Sequence, residues 1–477
     1  MDDVPTWARH ALAAGELGHA DRDDRAYAML TAIARAPAGT VPAVFRVRAP
    51  RRAAYRFLQQ DGFSWRDVAA AQQRATARRA RDVRDDYLVG VVDGSSLAHT
   101  DTQGDDGVGP IGSYSAGGRG IKTSMALLMT AAGIELGVGA LALWARPVTP
   151  PPTPHDRRAL SDKESRWWIE LPAATRAALD AEGVRTRLWW QFDREADMWP
   201  VLAAAAASQD WVTVRQSHDR VLAARDSDRA VQSALKVDAA LETTPPAGVL
   251  TLSVRPGRGR TARLARLVVT VLHVGVRLST SWSHAHVGDV GLTVVRAREE
   301  GTCPPGEAPL DWTLWTTAPA TTFAEAVRVV RTYALRFRVE GVHLGWKSGC
   351  CAAEDAQLES FEALAKWSVL LLTVAVHRES LLHRSRVEPE LPADVAFDRD
   401  TINAALLLYR EHRTDGPAMG TIPTLGRLVT LIAELGGYTG KSSGGPPGLK
   451  TFGRGMDHVE VAATVLRLQR RGSDPPT

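Results

Sequence analysis

Cysteine is scarce in this chain of 477 residues, which has only Cys303, Cys350 and Cys351. The paired spacing of a structural zinc site is absent, and adjacent cysteines are poorly placed to bridge each other. The sequence therefore excludes a disulfide-stapled secreted scaffold. We expect reduced thiols and a cytoplasmic protein.

Long apolar segments are absent as well. The longest, Trp367 to His377, is too short to span a bilayer. The first residues also lack the basic and then apolar pattern of a signal peptide. We therefore expect a soluble protein without a membrane partner.

Lysine is the third scarce residue, since nearly all of the 58 basic residues are arginines. The 54 acidic residues leave a formal net charge of only +4. The planar fork of arginine suits bidentate contacts with phosphate, but an excess of arginine and alanine is also typical of a GC-rich genome. This mildly basic balance permits nucleic-acid binding without demonstrating it.

The chain is long enough for two to four structural units. Apolar residues at helical spacing predict a helical region over 1–80. Strand patterns then alternate with helical ones, which indicates an α/β core over 81–370. Short β-branched runs predict a β-rich insertion at 225–318, and 371–477 reads as a helical C-terminal region.

Three carboxylates stand out against this pattern. Asp93 ends the apolar, strand-like run from Tyr87, and Asp193 ends a similar run from Leu188. Glu340 lies in a segment that we predict to be one long helix from Thr322 to about residue 349. Carboxylates that converge on metal are the groups that phosphodiester cleavage needs. The plainer alternatives are a turn residue for Asp93 and a helix N-cap for Asp193.

The segment around Glu340 has a distinctive spacing of polar side chains. Tyr333, Arg336, Glu340 and Lys347 follow one another with two, three and six residues between them. At about 100° of rotation per residue, a continuous helix places all four within an arc of roughly 60°. An amphipathic helix with a merely solvated polar face is the alternative interpretation.

These motifs resemble those of the DDE transposases of the bacterial insertion-sequence-four family, cut-and-paste enzymes whose excision passes through a DNA hairpin. The resemblance extends over most of the chain. Besides the four spaced residues above, it includes Tyr55-Arg-Phe, Gly109 to Ser113, Gly118-Arg-Gly, Lys163-Glu-Ser, Asp193-Arg-Glu-Ala-Asp and Pro447 to Thr451.

The resemblance implies a fold, a reaction and its partners. The fold is a ribonuclease-H-like mixed-sheet catalytic core, with the β-rich insertion and the two helical regions attached to it. Asp93, Asp193 and Glu340 are the implied catalytic residues and ligands of two Mg²⁺ ions, which Mn²⁺ can replace. The implied partners are double-stranded DNA, as transposon ends and target, and a second copy of the chain when DNA is bound.

The resemblance also implies a set of DNA-binding residues. These are Tyr333, Arg336, Lys347, Trp312, Arg215, Arg119 and Lys163. The first three are expected beside the scissile phosphate, and Trp312 is expected to stack on a base flipped out of the hairpin. Trp312 could equally be a core residue, with Trp315 as a competitor for the stacking role, and the remaining cations could serve in surface or ion-pair contacts.

Three departures from the family pattern leave other functions open. Gly94-Ser-Ser follows the first aspartate where two threonines are usual, and Gly341 stands where a second glutamate is usual. The stretch from Leu17 to Arg25 is acidic in a region that tends to be arginine-rich. It supports a catalytically silent or repurposed DNA-binding protein as one alternative. A metal-dependent nuclease that cuts without joining is the other.

Overall fold

The computed structural model describes residues 4–100, 107–114, 117–223, 235–254, 260–280, 283–413, 416–440 and 445–473. Helices surround one large mixed sheet in this part of the chain. The prediction of a mixed α/β fold is therefore confirmed.

The N-terminal part is helical, as the spacing of apolar residues predicts. Its helices are α1 (Val4–Ala11), α2 (Ala20–Arg35), α3 (Val41–Val44), α4 (Arg48–Leu58) and α5 (Trp65–Arg81). The start of α5 is defined by a capping box, in which Ser64 and Asp67 each bond the other's backbone N–H. The core of this region is continuous with residues from the sheet and from later helices, so these helices do not form a separate globule.

A ten-stranded sheet forms the centre of the molecule. Its strands are β1 (Tyr87–Ala98), β2 (Gly109–Pro110), β3 (Arg119–Met129), β4 (Glu135–Trp144), β5 (Arg187–Phe192), β6 (Trp211–Arg215), β7 (Gly248–Val254), β8 (Arg263–Ser279), β9 (His286–Glu299) and β10 (Asp311–Thr316). The order is β2-β3-β1-β5-β6-β10-β9-β8-β7, and β4 also pairs with β3.

Strand direction changes at β1, near the middle of the sheet. On one side, β1 pairs antiparallel with β3, which pairs antiparallel with β4. On the other side, β1 pairs parallel with β5, and β5 pairs parallel with β6. A turn at Ala132-Gly133 joins β3 to β4, where Gly133 has a φ of 82° that favours glycine. Strand β1 thus has neighbours of both directions.

The segment at 225–318 contains the four strands β7 to β10 and the short helix α8 (Val237–Thr243) in its described part. The short β-branched runs at 262–271 and 275–278 are not separate strands, because both belong to β8, one strand of 17 residues. Gly275 stays in register with Gly291 of β9, so this glycine does not end the strand. Strand β10 pairs with β6, and the segment therefore extends the central sheet.

The remaining helices are α6 (Trp167–Ala181), α7 (Trp199–Ala207), α9 (Phe323–Ala334), α10 (Arg338–Lys347), α11 (Phe361–Val387), α12 (Arg399–His412), α13 (Leu425–Leu435) and α14 (Leu449–Ser473). The prediction of one long helix from Thr322 to residue 349 is wrong. A 3₁₀ turn at Leu335–Phe337 separates α9 from α10. This turn contains no Gly or Pro, so the local sequence carries no signal for it.

Helix α11 links the N-terminal helices to the rest of the molecule. The fully buried Lys366 donates to the carbonyl oxygens of Gln60, at 2.6 Å, and Leu58, at 3.4 Å. The indole N–H of Trp367 donates to the Gly39 carbonyl at 2.6 Å. The apolar stretch seen in the sequence is therefore a core helix, and it runs through residue 370, where we predicted a domain boundary. None of the described helices is long and apolar enough to span a membrane.

Glu379 of α11 lies in a buried cluster of ionisable groups beneath α10. His383 bridges Glu135 and Glu379, with Nδ1 2.5 Å from Oε1 of Glu135 and Nε2 3.7 Å from Oε2 of Glu379. A Cβ at Gly341 would lie 2.8 Å from Oε1 of Glu379, so the carboxyl group fills the space beside this glycine. Burial, reinforced by the charge of Glu135 and opposed by those of Arg386 and Arg338, raises the pKa of Glu379 to about 8.

This pKa predicts how stability depends on pH. A carboxyl group with a raised pKa stabilises the fold fully below its ordinary value of 4.5, and that stability is lost as the pH rises through about 8. The Glu379→Gln variant should lose less unfolding free energy than the wild type between these limits. Each unit of pKa shift corresponds to about 1.4 kcal/mol.

The measurement is chemical denaturation across that pH range. Replacement of the exposed Glu390 by glutamine is the matched control, and its profile should follow that of the wild type. If the pH profile of the Glu379→Gln variant were also identical to that of the wild type, the prediction of a raised pKa for Glu379 would be contradicted.

Candidate active site

Asp93 lies on β1, and Asp193 directly follows the last residue of the neighbouring parallel strand, β5. Val91 of β1 is the register partner of Gln191 of β5. Asp93 follows Val91 by two residues, and Asp193 follows Gln191 by two residues. Side chains two residues apart point to the same face, and neighbouring strands lie about 4.8 Å apart. The two carboxylates therefore share one face of the sheet beyond the carboxyl end of β5.

The electrostatics of this pair show an excess of negative charge. Burial raises the pKa of Asp193, and the charge of Asp93 raises it further. Arg336 and the backbone N–H of Glu195 oppose this shift. The pKa of Glu195 is also raised, by burial and then by the charges of Asp193 and Asp93. A cation at this place would relieve the repulsion among the three carboxylates.

Asp193 also performs the capping role that its position in the sequence allows. It accepts a hydrogen bond of 2.8 Å from the backbone N–H of Glu195, at the start of a 3₁₀ turn over Arg194–Ala196. The nearby Asp197 is different, because it forms a buried ion pair with Arg220 at 2.6 Å. Asp197 thus stabilises the loop after β6. Asp193, rather than Asp197, is the aspartate that interacts with Asp93.

Glu340 approaches Asp93 through an arginine. The Arg336 guanidinium donates to Oδ1 of Asp93 at 3.3 Å and to Oε1 of Glu340 at 3.0 Å. The side chain of Arg336 is 10% exposed, whereas that of Glu340 is 59% exposed. Arg336 is therefore a buried link between the sheet and α10, whereas the side chain of Glu340 is exposed to solvent.

Helix α10 contributes two further side chains. Nε2 of His343 lies 3.2 Å from Oδ2 of Asp93, and Nζ of Lys347 donates to Oγ of Ser95 at 3.3 Å. Lys347 also lies 3.7 Å from Glu354. The helix is thus held along β1 by contacts at its start, middle and end.

Sequence reasoning missed His343, Glu195 and Lys122. His343 follows Glu340 by three residues, so the helical spacing could have identified it. Lys122 lies on β3 opposite Ser96, and its charge acts on Glu195. No local pattern predicts that strand pairing, so Lys122 could not have been found from the sequence.

The expected convergence of three carboxylates on one point is not present in this conformation. Among the described residues, no three His, Cys, Asp or Glu side chains are arranged to hold a metal ion. Asp93 and Glu340 contact the Arg336 guanidinium instead. In this conformation the shared partner of Asp93 and Glu340 is thus an arginine.

Tyr333 and Trp312 are buried together. Tyr333 is fully buried and Trp312 is 5% exposed, and their rings meet edge to face with centroids 5.4 Å apart. Burial raises the pKa of the Tyr333 hydroxyl, and Arg336 and Arg215 lower it in part. The helix break places Tyr333 in α9 and Lys347 in α10, so the single polar helix face predicted from the spacing is wrong.

The other predicted DNA-binding cations have intramolecular partners. Arg215 donates to the carbonyl oxygen of Asp311 at 3.3 Å, and burial lowers its pKa. Arg119 donates to the Val108 carbonyl at 2.8 Å. Lys163 donates to the Asp156 carbonyl at 3.4 Å. All three side chains support local backbone in this conformation, and their contacts with DNA stay predictions.

The packing of Trp312 yields a testable prediction. Because this ring fills the core between β10 and α9, Trp312→Ala should lower the unfolding free energy by about 3–5 kcal/mol. The half-buried Trp199 provides the control, and Trp199→Ala should cost clearly less. Denaturant titration measures both losses. Equal losses in the two variants would contradict the core placement of Trp312.

The two ends of the chain match known protein families. Residues 5–63 match the family described as transposase DNA-binding, and residues 373–475 match the Tn5 transposase dimerisation domain. The first match covers α1 to α4, and the second runs from within α11 into α14. Together, the matches support a DNA transposase of the Tn5 type, with the candidate site in the part of the chain between them.

Proposed function

We propose that this protein is a DDE transposase of the insertion-sequence-four family that cuts DNA at transposon ends and joins them to target DNA. The observation that carries the proposal is the placement of Asp93 on β1 and of Asp193 directly after the parallel strand β5, with Glu340 linked to Asp93 through Arg336. The matches of the two ends of the chain to transposase domains support it independently.

We assign the centre of the sheet to the ribonuclease-H-like type. The support is the order β4-β3-β1-β5-β6, in which antiparallel strands lie on one side of β1 and parallel strands on the other. Asp93 lies on β1, and Asp193 directly follows the parallel neighbour of that strand, β5. A helix from later in the chain, α10, carries the glutamate to the same face.

The donor set fits divalent metal. Carboxylate oxygens are the hard ligands that Mg²⁺ and Mn²⁺ take. Burial, and to a smaller extent the charge of Asp93, raises the pKa of Asp193, and a cation beside the two carboxylates would stabilise their charged forms. Asp93, Asp193 and Glu340 are the residues that would hold the ions. When bound, two such ions activate the attacking oxygen and stabilise the leaving oxyanion of a phosphodiester.

Arg336 and Lys347 would then act on the DNA. Release of Arg336 from its two carboxylates leaves a guanidinium at the edge of the site, where its planar fork suits a phosphate beside the scissile bond. Lys347 is a second cation on the same helix. Tyr333 stays in the core, where its ring packs against Trp312 and Phe337. The DNA phosphates thus replace the carboxylates as partners of the arginine.

Substitution of the three carboxylates tests the activity. Asp93→Asn, Asp193→Asn and Glu340→Gln should each slow cleavage of the element's own DNA ends by more than roughly 100-fold. Mutation of a residue that only hydrogen-bonds a metal ligand already lowers activity by up to about that factor, and loss of a ligand should cost more. The DNA flanking the gene, searched for inverted repeats, supplies the ends. Gels that resolve nicked, hairpin and fully cut DNA measure each step.

Glu359→Gln, at an exposed position, is the matched control and should cut as fast as the wild type. Full activity in any carboxylate variant would contradict the proposed metal centre. Nicked and cut products without a hairpin or joined product would favour a nuclease on the same fold. Specific binding of the ends without cleavage would favour a silent DNA-binding protein.

We also propose that Trp312 stacks on a flipped base. The buried position of this ring means that it must leave its contact with Tyr333 to meet a base. In the same gels, Trp312→Phe should slow hairpin formation more than the first nick, since unstacking a base is needed only for the hairpin. Equal slowing of both steps would leave Trp312 as a packing residue.

We propose that two copies of the chain pair through α14. Val461, Val465 and Leu468 are 70%, 51% and 62% exposed and recur at helical spacing. They lie opposite Val459 and Ala463, which are fully buried. An exposed apolar stripe on a helix is typical of a protein interface. The match of this region to a dimerisation domain supports the same surface.

A charge in this stripe should weaken the dimer. Val465→Asp should raise the dissociation constant roughly tenfold or more, which corresponds to about 1.4 kcal/mol, because the carboxylate is buried without a partner. Leu407→Asp on α12 is the control, since that side chain is exposed outside the stripe. Sedimentation with and without DNA ends measures both. An unchanged dimer in the Val465 variant would exclude this surface.

A further inference from the structure

The two adjacent cysteines lie in the loop that follows α10. Cys350 and Cys351 come directly after Gly349, and both are free thiols. The backbone N–H of Cys351 donates to the carbonyl oxygen of Gly345 at 3.0 Å. Sγ of Cys350 lies 3.7 Å from the same oxygen. The loop therefore folds back onto the end of α10, which brings both cysteine side chains to one place.

The two thiols contact each other. Their Sγ atoms are 3.8 Å apart, although the side chains of adjacent residues in an extended segment point to opposite sides. Cys350 is partly exposed, whereas Cys351 is fully buried. A small molecule from solvent can therefore reach the sulfur of Cys350, and the sulfur of Cys351 lies directly beside it.

A buried arginine lies next to this pair. The side chain of Arg378, in α11, is 3% exposed, and it lies 3.4 Å from the carboxylate of Asp457. Nη1 of Arg378 has no hydrogen-bond partner within the described part of the chain. A Cβ at Gly453 would lie 3.4 Å from this Nη1 and 3.4 Å from Cβ of Cys350, so both side chains pack against the same glycine. A thiolate at Cys350 would therefore lie close to a positive charge that is held out of water.

The two thiols differ in how readily they ionise. A hydrogen bond from the Cys351 thiol, and then the charge of Arg378, lower the pKa of Cys350, although burial opposes this shift. Burial raises the pKa of Cys351. The thiolate is the nucleophilic form of cysteine, so Cys350 is the reactive member of the pair and Cys351 keeps its proton. Redox-sensitive cysteines are commonly accessible thiolates with a second thiol beside them.

We propose that Cys350 and Cys351 form a modification site for hydrogen peroxide, at which oxidation joins the two sulfurs in a reversible disulfide. The Cys350 thiolate attacks the peroxide, so that an S–O bond forms, the O–O bond breaks and hydroxide leaves. The Cys351 sulfur then attacks the resulting sulfenic acid, the S–S bond forms, and the sulfenic oxygen leaves as water with the Cys351 proton. Two electrons pass from the sulfurs to the peroxide. This chemistry does not depend on the proposed DNA cleavage.

The resulting disulfide would be easily reduced. The Cα atoms of adjacent residues are about 3.8 Å apart, which is closer than the roughly 4.4–6.8 Å of most disulfides. The strain of the short span favours return to two thiols when a reducing thiol is present. For the same reason, adjacent cysteines rarely form a permanent structural bridge. The pair thus suits a bond that forms only under oxidising conditions.

Peptide mass spectrometry tests the site. The full chain is treated with hydrogen peroxide, free thiols are blocked with iodoacetamide, and trypsin cuts after Lys347 and Lys366, which leaves both cysteines in one peptide. This peptide should lose two hydrogens and take up no iodoacetamide, and dithiothreitol added before the blocking step should restore two blocked thiols. In the Cys351→Ser variant, Cys350 should stop at the sulfenic acid, which a cyclic 1,3-diketone traps.

Cys303 is the matched control, because it is also partly exposed but lacks an adjacent cysteine. In the wild type, the thiols of the pair should be lost roughly fivefold faster or more than that of Cys303, since the thiolate is the form that reacts. Equal rates, or a peptide that keeps both blocked thiols after peroxide treatment, would overturn the inference. Disulfides between two chains on a non-reducing gel would contradict Cys351 as the partner. The wild type gives these results by itself, so unfolding of a variant does not remove the test.

Discussion

The contact of Arg336 with both Asp93 and Glu340 is the interaction on which the candidate site depends. Two carboxylates from different elements approach a third, Asp193, in a partly buried place where like charges repel. The guanidinium offsets part of that repulsion. It can reach both acids because a 3₁₀ turn interrupts the helix and carries Arg336 toward β1. Arg336 thus lies within the helix break itself, between α9 and α10.

Helix α11 fixes the parts of the molecule around this site. On one side, it binds the end of α4 through Lys366, and on another it places Glu379 against Gly341, next to Glu340. The carboxyl group of Glu379 occupies the space beside Gly341, the position at which the sequence departs from the family pattern that it resembles. One buried helix thus connects the N-terminal region, the helix that carries Glu340 and the C-terminal helices. Substitutions in α11 should therefore affect the packing of all three.

Much of the fold could be predicted from the sequence, because the apolar runs before Asp93 and Asp193 and the turn at Gly133 are local signals. The level pairing of β1 and β5 is not local, and neither is the contact of His343 with Asp93. The absence of Gly and Pro between Thr322 and Glu340 predicts an unbroken helix there, whereas the structure has a 3₁₀ turn at Leu335–Phe337, where Arg336 contacts the distant Asp93. The sequence around Trp312 does not distinguish a core residue from one that stacks on a DNA base. Only the fold places this side chain in the core.

The most direct test of the metal centre is a titration of Mn²⁺ followed by electron paramagnetic resonance, with the wild type and the Asp193→Asn variant in the presence of DNA ends. The free Mn²⁺ signal should fall as the wild type binds the ion, and the variant should leave that signal largely unchanged. The measurement does not require turnover, so it separates the metal centre from every later step. An equal decrease of the free Mn²⁺ signal with both proteins would contradict a metal site built on the paired aspartates.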